Sequence, residues 1–211
     1  VNYDGRVDSL ALPVASWFNR LTGKTRYVVC RIFLHLAGTQ VAPLLGLLNQ
    51  TARRAFDAEG DMEVLGEALV EVCQALLQYD TFWRSAANEG EVFWKEGEAA
   101  GFVNELFTDS ASRYLSSGDL EDGPRRAEQP LSLPATQNVV VMLTAAYTGE
   151  VPDLETDLAS DEALKRGLRA LINLHYQNQL VAVQVHFSPA QFGDELTEEQ
   201  LLVNFSELVP L

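Results

Sequence analysis

Three histidines, His35, His175 and His186, are the residues of this chain best able to ligate a metal or shuttle a proton near neutral pH. His35 falls in an apolar run, His175 near a helix end and His186 in a second apolar run. No spacing links them, so they are expected to be separate structural histidines rather than a shared metal site. The two cysteines, Cys30 and Cys73, each sit in apolar patterns and read as reduced core thiols; there is no CxxC and no Cys/His pair at zinc spacing. Residues 89–98 (EGEVFWKEGE) place Glu89, Glu91, Glu96 and Glu98 around Phe93 and Trp94. Carboxylates around an aromatic platform can hold a cation or serve as acid and base. The competing reading is a solvated acidic loop with its aromatics turned inward. Residues 188–195 (SPAQFGDE) join a strand to a helix, a common place for a ligand and an equally common place for a plain turn. From these two segments Glu91, Trp94, His186 and Asp194 are the candidate ligand-binding residues. No catalytic residue and no metal or other cofactor is assigned: GxGxxG, a phosphate loop ending in Lys-Ser/Thr, and GxSxG are all lacking.

The elements that must position these residues follow from hydrophobic period. Residues 1–24 read as an arm in which Leu10, Val14, Trp17, Phe18 and Leu21 recur at helical spacing. With Trp17, Phe18, Arg20 and Lys24 it is a candidate contact for a membrane surface or a partner, against the alternative of packing on its own domain. Tyr27 to Leu36 is β-branched and aromatic and reads as a strand. Gln40 to Ala58 reads as a buried helix capped by Thr39 with Pro43 in its first turn. A long helix is expected from an Asp61 cap to about Ala87, and another from about Gly97 to Leu115. Residues 117–136 are a Gly, Pro and Ser linker. Beyond it, Asn138 to Tyr147 reads as a buried strand, Asp161 to His175 as a helix with Ser160 as cap, and Leu180 to Phe187 as a strand. In that last strand Val181, Val183, Val185 and Phe187 form the apolar face, opposite Gln184 and His186. Thr197 to Gln200 matches a capping box opening a short helix. The expected fold is α+β: a mostly helical N-terminal half (25–116) with one strand, then a smaller β-α-β half (137–211) sharing its core.

Composition bounds the function. The 211 residues, 47% of them hydrophobic, suffice for a sizeable core, and no apolar run spans a bilayer. The N-terminus lacks the pattern of a secretory signal, so the expected compartment is the cytoplasm. The net charge of −15 disfavours nucleic acid and anionic lipid. That charge is unevenly placed: residues 1–54 hold seven basic groups and two acidic ones, the remainder eight basic and 28 acidic. Either a basic segment packs beside an acidic body, or the split marks a docking face for a protein partner.

The stretches LHLAG (34–38), LLGLLN (44–49), residues 79–107, VHFSPAQFGDELTEEQLL (185–202) and ELVPL (207–211) resemble a cyanobacterial and chloroplast family of unknown function, relatives of the plant fluctuating-light-acclimation protein. The resemblance covers most of residues 27–211. It implies an oxygenic phototroph and a link to thylakoid regulation; it implies no catalytic or ligand residues, and the membrane spans of chloroplast members are not matched here. The expectation is a non-enzymatic interaction or regulatory protein of the cytoplasm, with peripheral contact at the thylakoid surface. An enzyme or small-ligand-binding protein with a pocket between the halves is the alternative.

Overall fold

The computed structural model describes residues 24–115, 137–189 and 196–211. Most of the arm and all of the 117–136 linker lie outside them. The fold is α+β, built on a five-stranded antiparallel sheet in the order β4-β3-β1-β2-β5. The strands are β1 (Tyr27–Ala37), β2 (Trp83–Phe93), β3 (Asn138–Thr148), β4 (Leu180–Ser188) and the short β5 (Val209–Pro210). The helices are α1 (Ala42–Asp57), α2 (Met62–Gln78), α3 (Glu96–Leu115), α4 (Asp161–Tyr176) and α5 (Glu198–Asn204).

Strands β1 and β3 lie side by side in the centre, so residues from both sides of the linker build one sheet. Each is buried on both faces, which is why each reads as a continuous apolar run. On one face Val28, Ile32, Leu34, Val141 and Leu143 meet the apolar stripes of α1, α2 and α4 in the main core. On the other face Val29 and Ala146 pack under α3 with Phe93 and Val103, while Phe33 and Met142 pack under Leu196 and Phe205 beside α5. Helices α2 and α4 approach closely because position 66 is glycine: a Cβ there would stand 2.2 Å from Nδ1 of His175.

Two expectations need correcting. The helix opened by Asp61 ends at Gln78, and residues 83–93 are a strand, so the N-terminal half holds two long strands rather than one. The sequence WRSAANEGEVF has neither β-branched density nor alternation, and its Ala and Glu continue the helical pattern. Tertiary pairing decides the matter: β2 is zipped to β1 from Tyr27 opposite Phe93 to Leu36 opposite Trp83. The indole N–H of Trp83 then donates to the Leu76 carbonyl, 3.2 Å away, near the end of α2. The second correction concerns Thr39. The N-cap of α1 is Val41, with no side-chain cap bond, although Pro43 does sit in the first turn. Asp61, Ser160 and Thr197 cap as expected, and Thr197 and Gln200 form the reciprocal capping box.

Candidate functional site

The antiparallel register aligns four polar side chains straight across the sheet under α3. Glu89, Arg31, Thr144 and Gln184 occupy partnered positions on β2, β1, β3 and β4. The adjoining row on the same face is Ala87, Phe33, Met142 and His186. Arg31 is only 3% exposed. Its guanidinium donates to Glu89, to Asp109 (2.6 Å), to the Ser110 hydroxyl (2.8 Å) and to the Leu106 carbonyl, and it lies 4.6 Å above the Phe33 ring. Asp109 also accepts from Arg113, which reaches Glu207 and the Asn204 carbonyl. The chain Glu89–Arg31–Asp109–Arg113–Glu207 therefore ties the sheet, α3 and the C-terminal segment together around a polar cleft of about 420 Å³. Burial pushes the Asp109 carboxyl up, but the hydrogen bonds and charges of Arg31 and Arg113 outweigh it and hold it below the usual carboxylate range.

The β3 and β4 end of this floor differs. Thr144 Oγ1, Gln184 Oε1 and His186 Nδ1 are buried, and none has a hydrogen-bond partner among the described residues. Burial, aided by the charge of Arg31, lowers the His186 ring below an ordinary histidine, so it is neutral at neutral pH.

The opposite face of β4 is apolar. Val183, Val185 and Phe187 floor a groove of about 270 Å³ whose walls come from α1 (Leu48, Ala52) and α2 (Leu65, Leu69). One turn beyond Ala52, Phe56 stands 86% exposed. β4 is the last strand of the sheet, and among the described residues nothing pairs with its outer edge. A register shift opposite Ala146 and Tyr147 turns Leu180 to the core and leaves Val181 41% exposed, against the expectation that Val181 belongs to the apolar face.

A further polar cluster is fully inside. Arg26 and Glu155 form a two-pronged ion pair (2.8 and 2.5 Å), joined by the Tyr147 hydroxyl and the Val151 N–H. Both cysteines are buried free thiols; burial, with the Glu155 charge second, pushes Cys30 up to about 12, so it is no thiolate at neutral pH.

The structure places the sequence-derived candidates as follows. Glu91 lies on β2 opposite Val29, and Trp94 follows β2, 43% exposed. His186 lies on β4. Two strands intervene, so β2 and β4 are about 14 Å apart. Glu91 and Trp94 thus stand at the β2 side of the sheet and His186 at the β4 side. Asp194, Trp17, Phe18 and Arg20 lie outside the described residues; Lys24 is exposed ahead of β1. The supposed 89–98 loop is the end of β2 and the start of α3, where Glu96 and Glu98 occupy the first helical turn. Phe93 does turn inward, 5.5 Å from the Phe102 ring. Arg31 and Thr144 were missed because each sits inside an apolar run; the signal available was a lone polar residue on a buried strand.

A family model described as a protein of unknown function, DUF1517, matches residues 26–211. The chain belongs to the DUF1517 family. No curated protein and no solved structure matches it. The matched span takes in every described strand and helix of this DUF1517 protein, including the polar floor and the β4 groove. No helix among the described residues is long and apolar enough to cross a membrane.

Proposed function

We propose that this DUF1517 protein is a non-enzymatic interaction protein that docks an extended segment of a partner protein along β4, in a regulatory role near the thylakoid surface of an oxygenic phototroph. The setting rests on the resemblance carried by residues 185–202 and 207–211. The docking mode rests on one observation: among the described residues β4 is a nine-residue edge strand without a charged side chain, bordered by an apolar groove. Soluble proteins ordinarily blunt such edges with lysine, proline or a covering element. An unpaired edge demands backbone donors and acceptors, and the groove demands apolar side chains at alternate positions. An extended chain supplies both.

The charge split carries less weight. Arg26, Arg31 and Arg54 of the basic segment pair with Glu155, with Glu89 and Asp109, and with Glu71 of the acidic remainder. This favours a basic segment packed beside an acidic body over an electrostatic docking face. Peripheral membrane contact through residues 8–26 is a second route to the same surface, testable by liposome flotation with that segment deleted.

The test is a binding titration. A partner captured on the immobilised protein is purified and titrated by calorimetry against the unaltered chain, Val181→Lys and Phe56→Ser. Both substitutions are at exposed positions, so the fold is retained. Each is expected to weaken Kd by about tenfold or more. Unchanged affinity in both variants would refute docking at β4, and a β4-to-β4 pairing of two copies would show instead as a dimer of the isolated chain.

A further inference from the structure

We infer that Thr144, Gln184 and His186 form a binding site for the primary carboxamide group of a small molecule. The argument starts from register. Thr144 and Gln184 are direct cross-strand partners, and His186 is two residues along β4 on the same face. Thr144 and Gln184 then have Cβ atoms about 5 Å apart, and His186 stands on the diagonal about 7–8 Å from Thr144, so the three polar side chains rise side by side from one face of the sheet. Thr144 is 1% exposed, and its hydroxyl, the Gln184 carbonyl and His186 Nδ1 are all unpartnered among the described residues. One orphaned buried polar atom costs about 1–3 kcal/mol, and three together are a large penalty for a sheet otherwise so well packed.

The chemistry of the three atoms selects the occupant. Gln184 Oε1 only accepts. A neutral imidazole carries one acceptor nitrogen, and with the proton on Nε2 that acceptor is Nδ1. Thr144 can donate. The complementary group presents two N–H donors and one carbonyl acceptor on a plane, which is –CO–NH₂. Charged groups fit less well. Arg31, beside Thr144, already has its donors on Glu89, Asp109, Ser110 and the Leu106 carbonyl, so it is not free to bind an anion here, and none of the three side chains carries the negative charge a cation would need. Gln184 and His186 lie on the edge strand and are half-buried, so the site is reached from the β4 side.

Gln184 and His186 alternate along β4 with Val183, Val185 and Phe187, which floor the apolar groove that Gln184 also borders; amide binding is measured without a partner, so it can fail while partner docking stands. The test titrates isotope-labelled protein with acetamide and nicotinamide, using acetate and acetone as controls that lack the N–H pair. The amides are expected to give saturable shifts at Thr144, Gln184 and His186, and the controls none. Gln184→Leu and Thr144→Val are expected to keep a folded spectrum, to raise the Tm of the unliganded protein, and to weaken amide binding by about tenfold. Equal shifts from the controls, shifts that survive both substitutions, or a crystal structure grown with amide that shows only water between the three side chains would overturn the assignment. If the variants lose Tm instead, the hydroxyl and the amide are satisfied within the protein and the site is refuted on that ground.

Discussion

Arg26 and Arg31 are both arginines on a buried strand or its approach, yet they are held differently. Arg26 meets one carboxylate, Glu155, in a wholly enclosed pair; Arg31 meets two carboxylates that keep contact with solvent. Breaking an enclosed pair strands a charge, so Glu155→Gln should lower the unfolding free energy by about 3–5 kcal/mol, read from urea denaturation. Replacing both partners by apolar residues of similar size should restore much of that loss. The histidines give a pH signature. Burial lowers His35, opposed by the hydrogen bond its ring donates to the Asn138 side-chain oxygen and reinforced by Arg84, and burial with Arg31 lowers His186. A folded-state pKa below the unfolded value of about 6.5 means that stability is complete above that pH and drains away as pH falls through the folded values. The urea midpoint should therefore fall on acidification from neutrality, and His186→Asn should flatten that limb. Asp109 acts at lower pH. Its depressed carboxyl contributes stability present above about pH 4 and lost below it, so Asp109→Asn should flatten only the acid end.

At the scale of elements, legibility followed burial. β1, β3 and β4 were readable because strands buried on both faces, or alternating at an edge, leave an apolar signature. α3 and α4 were readable from their stripes, and the Asp61, Ser160 and Thr197 caps from short-range side-chain chemistry. β2 was not. Its position beside β1 is fixed by partners distant in sequence, and Gly90 shows how close the fit is: a Cβ there would lie 2.9 Å from the Val29 carbonyl oxygen. Gly90→Val, which raises β propensity, should nevertheless destabilise by about 1–3 kcal/mol in thermal or urea unfolding. The polar row Glu89–Arg31–Thr144–Gln184 escaped for the same reason, since cross-strand alignment appears only once β2, β1, β3 and β4 are in register. Glu89 and His186 were legible as polar candidates, and Gln184 as the neighbour of His186 on one face of β4, but not the row that Arg31 and Thr144 complete.

The whole molecule is organised around the β1 and β3 contact, which joins the segments on either side of residues 117–136. Each half alone would expose one face-buried central strand as a long apolar edge. Fragments 24–115 and 137–211 should therefore be poorly folded apart and recover native circular dichroism when mixed, whereas two independently folded fragments would show that the sheet is not a single cooperative unit. Among the described residues the same topology puts β4 at the far edge, next to one apolar groove and one polar floor, and the docking we propose rests there. The most direct measurement is amide hydrogen exchange of β4 in the free protein and in its complex with the purified partner. Strand addition predicts that the outward amides of residues 180–188 exchange readily when free and slow markedly in the complex, with Val181→Lys abolishing the protection. Binding that leaves those amides unchanged, or that protects another surface instead, would contradict it.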